Sequence, residues 1–86
     1  NMKEKEVRYH PTQKPVVLMR RILRDYFQMI DYPQLVVFDP FMGSGTTAVA
    51  CEKEGRKMWF GCELEPKYVE IANKRIEAER AQLKLF

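Results

Sequence analysis

Between residues 16 and about 30, apolar side chains recur at spacings of three and four, at Met19, Ile22, Leu23, Tyr26, Phe27 and Ile30. Arg20, Arg21, Arg24, Asp25 and Gln28 lie between them, which predicts an amphipathic helix with one buried face. Asp31-Tyr32-Pro33-Gln34 ends it, because helices stop at or before the residue preceding a proline. The pattern then changes. Leu35-Val36-Val37-Phe38 is an unbroken apolar run, as expected of a strand covered on both faces in a parallel sheet, and it ends in Asp39. Residues 57–63, Lys57-Met58-Trp59-Phe60-Gly61-Cys62-Glu63, form a second such run that again ends in an acid. Between them, residues 46 to about 54 carry Ala48, Val49, Ala50 and Cys51, small enough for a helix lying close on a sheet, with Gly55 as its stop. Pro66 suits the first turn of a last helix whose inner face is Tyr68, Ile71, Ala72, Ile76 and Leu83, with a Glu70–Lys74 pair outside. The order helix, strand, helix, strand, helix predicts an α/β fold with a small parallel sheet, one right-handed β-α-β unit with a helix on either side.

At 86 residues the chain holds one domain, and a chain of that length buries only roughly 60–65% of its unfolded surface. Two strands leave unpaired edges and an uncovered apolar face, which favours a homodimer or pairing with a missing half. Hydrophobic residues at 45% and charged residues at 31% are ordinary for a soluble globular protein, so disorder is not indicated. No apolar run approaches the roughly 20 residues of a membrane span, and Lys3-Glu4-Lys5-Glu6 is unlike a signal peptide, so a cytoplasmic protein is expected. Cys51 and Cys62 have no C-x-x-C spacing and no nearby His, so no metal site is expected and both read as small buried residues. A net charge of +3 is compatible with nucleic acid without identifying it, and Arg20, Arg21 and Arg24 read as a solvated helix face or a phosphate contact. Residues 1–9 read as a flexible lead-in, and Asn1 before Met2 resembles a tag remnant, leaving residues 10–86 as the folded half-domain.

The candidate chemistry sits where the first strand meets the second helix. Gly43-x-Gly45-x-x-Ala48 matches a nucleotide-binding glycine pattern, and Glu63 follows Gly43 by twenty residues at the next strand end. Glycines there let the backbone take φ > 0 and approach a ligand, the helix start offers N–H groups, and an acid at the neighbouring strand end can accept from two ribose hydroxyls. The same glycines also make an ordinary tight strand-to-helix turn. No lysine follows Gly45, which excludes a loop of the G-x-x-x-x-G-K-[ST] type. Asp39-Pro40 before the glycines sets a carboxylate where a nicotinamide cofactor would bring its pyrophosphate, and such a charge repels an anion and attracts a cation. S-adenosylmethionine, with a sulfonium, an ammonium and a ribose, fits better.

With those residues the chain resembles the amino-directed DNA methyltransferases that modify adenine or cytosine, in the permuted class whose cofactor motifs lie at the C-terminal end. The resemblance covers residues 10–75. His10-Pro11-Thr12-Gln13-Lys14-Pro15 looks like the class's proline-containing motif, residues 39–47 like its cofactor loop, and Gly61-Cys62-Glu63 with Tyr68 and Ala72 like its ribose-binding segment. It implies a partial Rossmann-like methyltransferase fold and S-adenosylmethionine as cofactor. Thr12 would then touch the methionine end, Asp39 and Phe41 would border the methionine and adenosine portions, and Gly43 and Gly45 would permit close approach. Ser44 and Thr46 would add polar contacts, Glu63 would hold the ribose and Leu64 would pack on the adenine.

The D/N/S-P-P-aromatic segment on which that family's transfer chemistry depends does not occur in this sequence, and no catalytic residue is assigned. The expectation is a cofactor-binding segment of a DNA methyltransferase of the restriction-modification kind, inactive alone, arising by truncation, by excision of a domain or from a split gene. DNA would be met through the complete enzyme. Two other readings stand beside it: a non-catalytic module that self-associates, and a nicotinamide-cofactor-binding fragment.

Overall fold

A computed structural model describes Val7 and residues 13–29, 36–56 and 58–83. It has five elements in the expected order: α1 (Val16–Met29), β1 (Val37–Asp39), α2 (Thr46–Lys53), β2 (Trp59–Gly61) and α3 (Pro66–Leu83). The two strands pair in parallel, with Val37 opposite Trp59 and Asp39 opposite Gly61, so their carboxyl ends lie side by side. Both are shorter than their apolar runs. The chain belongs to the α/β class, with a small two-stranded parallel sheet.

Helix α2 is the centre of the molecule. Every residue from Thr46 to Glu52 is buried, with α1 and α3 packed on it. Small side chains make this possible, since Ala48, Ala50 and Cys51 have no exposed surface. The helix ends in a Schellman arrangement, with Gly55 N–H on the Glu52 carbonyl at 3.2 Å and Arg56 N–H on the Cys51 carbonyl at 2.8 Å. Beyond that turn the Arg56 guanidinium lies 3.9 Å from the Phe27 ring centroid, tying the helix end to α1.

Charge pins α2 as firmly as packing does. Glu52, only 3% exposed, accepts from Arg80 of α3 at 3.0 and 3.2 Å and from the Trp59 indole at 2.8 Å. Lys53 pairs with Glu79 of α3 at 2.8 Å. Glu54 accepts from Arg20 at 2.7 Å and from Arg24 at 2.9 and 3.1 Å. Two of the three arginines expected on a solvated or phosphate-contacting face are therefore held by this carboxylate. On α3, the Glu70–Lys74 pair forms at 3.2 Å on the exposed side.

Three expectations change. Of the two readings of the sheet, cover on both faces gives way to the uncovered apolar face expected of two strands alone: among the described residues Val37 and Trp59 pack on the core, while Phe38 and Phe60, on the opposite side of each strand, are 51% and 57% exposed. Their ring centroids lie 4.9 Å apart with the planes tilted by 40°, and Val36 and Met58 are also exposed. On α1 the buried stripe is Val16 and Leu23 with Met19 and Phe27; Ile22 and Tyr26 are half exposed, since one small helix, α2, covers only a narrow strip. Cys62 is exposed, lying past the end of β2, whereas Cys51 is buried as expected. Ile30, the turn at residues 31–34 and most of the lead-in lie outside the described residues.

Candidate cofactor site

A cleft of about 710 Å³ opens at the carboxyl ends of the two strands. Its walls come from the loop between β1 and α2, from Gln13 and Lys14 before α1, from Met19 and Leu23 of α1, and from Glu63 after β2. Open parallel sheets bind ligands at this end, where backbone and helix starts converge.

The loop is a closed hydrogen-bonded unit. Gly43 and Gly45 both take positive φ, 55° and 87°. Asp39 accepts from the Phe41 N–H at 2.9 Å with one carboxylate oxygen and from the Thr47 hydroxyl at 2.7 Å with the other. The Met42 N–H reaches the Cys62 carbonyl at 2.9 Å, and the Cys62 N–H reaches the Asp39 carbonyl at 3.1 Å, extending the sheet pairing past both strands. Glu63 accepts from the Gly43 N–H at 2.7 Å and from the Glu65 N–H at 2.9 Å. Several N–H groups that the sequence offered to a ligand are thus already engaged by the loop's own acids and carbonyls.

Of the expected site residues, the structure brings Asp39, Phe41, Gly43, Ser44, Thr46 and Glu63 to the cleft. Phe41 stands 87% exposed. Gly45 lies beneath it instead: a Cβ on Gly45 would stand 2.8 Å from the Ala72 Cβ, so its close approach is to α3. Leu64 is 96% exposed and borders an open groove of about 570 Å³ along α3, with Val69 and Glu70, that shares Glu63 with the cleft. Thr12 lies outside the described residues. The Ser44 hydroxyl is buried and donates to Gln13 at 2.7 Å.

Met42, Thr47 and Arg75 belong to this region and were not singled out by the sequence. Met42 fills the space over Gly61, where any Cβ would collide with it. Arg75 donates to the Ser44 carbonyl at 2.8 Å. Its signal was a cation three residues after the small inner-face Ala72, hence on the same helical face and directed at the loop. Beneath the site, burial pushes the Cys51 thiol up to about 11, with the Glu52 and Asp39 charges adding to the effect, so it stays a neutral packing group. Among the described residues no cluster of three or more His, Cys, Asp or Glu side chains could hold a metal, and no helix is long and apolar enough to cross a membrane.

A parallel strand pair, a positive-φ glycine loop and two strand-end acids around one cleft define a partial Rossmann-like fold. The DNA methylase family model matches residues 1–74, and the chain belongs to that family. It is 45% identical over 76 residues to the type II methyltransferase M2.DpnII of Streptococcus pneumoniae, covering 88% of this chain and 26% of that protein. It is 42% identical over 73 residues to M2.LlaDCHI of Lactococcus lactis subsp. cremoris, covering 85% of this chain and 25% of that one. Among solved structures it is similar to the M1.HpyAVI–SAM complex, at 43% identity and a TM-score of 0.65 over 79% of this chain and 32% of that one. The chain therefore spans about a quarter of the length of these curated relatives.

Proposed function

We propose that this chain is the S-adenosylmethionine-binding segment of a DNA methyltransferase acting on the exocyclic amino group of adenine or cytosine. The observation that carries the reading is the cleft at the strand ends with a carboxylate from each strand, Asp39 and Glu63, on either side of the glycine loop. Two acids there favour a cationic nucleoside over a pyrophosphate. A volume of about 710 Å³ suits a ligand of this size. S-adenosylmethionine supplies a methyl group activated on a sulfonium. Glu63, held by the Gly43 and Glu65 N–H groups, is the ribose acceptor, and Asp39 sets negative potential at the mouth. Phe41, exposed at the rim, offers a ring face to the adenosine.

The groups that accept from the target amino group come from further polypeptide, since the sequence has no D/N/S-P-P-aromatic segment. We place that polypeptide, and through it DNA, on the uncovered sheet face of Val36, Phe38, Met58 and Phe60. The relatives' greater length supports this occupant. Calorimetric titration of the chain with S-adenosylhomocysteine tests the cofactor reading: saturable heat is expected, weakened by Asp39→Ala and by Glu63→Ala, and no heat at high micromolar protein overturns it. A second reading, a self-associating module, draws on the same exposed face; light scattering that shows a stable dimer closed over Phe38 and Phe60 would favour it.

A further inference from the structure

The two walls of the cleft are joined at their base by a buried relay. Arg75, half buried on α3, donates through one guanidinium nitrogen to the Ser44 carbonyl at 2.8 Å, to the Ser44 hydroxyl at 3.1 Å and, more weakly, to the Thr46 hydroxyl at 3.4 Å. Ser44, 2% exposed, donates its own hydroxyl hydrogen bond to the Gln13 side-chain oxygen at 2.7 Å. Gln13, 8% exposed, donates in turn to the Val7 carbonyl at 2.9 Å. One chain of donors thus runs from α3 through the glycine loop to the segment before α1. Gln13 and Lys14 line one side of the cleft, Gly43 and Ser44 the other.

Ser44 is where the loop most needs such a hold. It lies between two glycines with φ of 55° and 87°, so the peptide groups flanking it have neighbours with the widest conformational freedom. A charge-assisted bond to its carbonyl fixes one of them, and buried bonds of this kind are strong because the alternative is an unsatisfied group.

We propose that Arg75 is a positioning residue: through Ser44 and Gln13 it sets the conformation of the glycine loop and the spacing of the two cleft walls. The part of this that concerns ligand affinity rests on the cofactor reading above; the part that concerns the loop does not.

The test compares the whole chain with Arg75→Met, Ser44→Ala and the double variant, by site-resolved amide hydrogen exchange and by titration with S-adenosylhomocysteine. Each single variant is expected to speed exchange of the Gly43 and Gly45 amides roughly tenfold, while Ala50 and Cys51 in α2 exchange as in the parent. Each is expected to weaken binding, Arg75→Met the more because Ser44→Ala leaves the bond to the carbonyl, with the double variant losing less than the product of the two single effects. Uniformly faster exchange along the chain would show a general structural role and overturn the proposal. So would parent-like loop protection in both variants, or a double variant that loses the product of the two single effects. Should Arg75→Met fail to fold, Arg75→Gln, which keeps a donor but not the charge, takes its place with the same outcomes. A parent chain that binds no S-adenosylhomocysteine refutes the cofactor reading and leaves the exchange comparison to decide this one.

Discussion

Replacing Gly45 by alanine separates what the second glycine of the loop does for folding from what it does for a ligand. Two costs arise at once. Its φ of 87° is left-handed, which costs a residue bearing a Cβ about 1–2 kcal/mol. The new methyl would also stand 2.8 Å from the Ala72 Cβ and 3.1 Å from the Ala72 Cα, well inside the carbon–carbon optimum, and overlap of this kind in a packed interior costs about 1–3 kcal/mol. Backbone atoms of two elements are involved, so rotamer change offers no relief. The sum is about 2–5 kcal/mol, against a total stability of about 4–13 kcal/mol for a chain of this length. At about 4–8 °C per kcal/mol the midpoint of thermal unfolding falls by at least about 8 °C.

Gly55 supplies the control. Its φ is 72°, yet a Cβ there meets nothing within 4 Å. Gly55→Ala should therefore show the conformational cost alone, and the difference of about 1–3 kcal/mol between the two variants is the contact with α3. Ala72→Gly in the Gly45→Ala background removes the closer contact and should recover part of that difference, less about 1 kcal/mol for glycine inside a helix. Circular dichroism through thermal and urea unfolding reads all four proteins. Losses for Gly45→Ala and Gly55→Ala that agree within about 0.5 kcal/mol would refute the close packing of loop on α3.

Acid should act on the ion pairs around α2. The Glu54 carboxyl is held below its ordinary value of 4.5, first by the Arg24 hydrogen bond and then by Arg20, with burial opposing. The unfolded chain thus binds this proton more readily, so the contribution of Glu54 is fully present above its unfolded pKa and is lost as pH falls through the folded one. Urea midpoints at pH 7 and pH 3 should differ less in Glu54→Gln than in the parent; equal differences would remove Glu54 from the account. Thiol labelling with a disulfide reagent should modify Cys62 in the native protein and reach Cys51, buried with its thiol near 11, only on unfolding, and two fast thiols would contradict the placement of α2. Glu52→Gln should cost about 1–3 kcal/mol by weakening the bonds from Arg80 and Trp59, measured by urea unfolding, and a neutral outcome would show that the Glu52 network adds nothing net to the hold on α2.

The fold was legible in the chain because its signals are local. Period-three-and-four spacing marked α1, small residues between two apolar runs marked α2, and Pro66 opened α3 where expected. The unbroken runs correctly indicated parallel strands, but they also implied cover on both faces, and that is a property of a complete sheet. Phe38 and Phe60 carry the sequence of a buried strand without the elements that would bury it. Ion pairs were illegible for the opposite reason: Glu52 with Arg80 and Glu54 with Arg20 and Arg24 are brought together only by the packing of three helices, and no spacing along the chain encodes them.

At the site, the sequence located Asp39, Gly43 and Glu63 but could not show that they satisfy one another. Each acid read as a ligand group is also a structural acceptor: Asp39 for Phe41 and Thr47, Glu63 for Gly43 and Glu65. A loop closed in this way has already lost the conformational freedom that a ligand would otherwise have to freeze, which favours affinity. The same closure means that removing either acid loosens the loop as well as removing a contact. Asp39→Ala and Glu63→Ala therefore report the two effects together, and a variant such as Arg75→Met, which removes nothing that lines the cleft and leaves both carboxylates in place, isolates how far loop order itself governs binding.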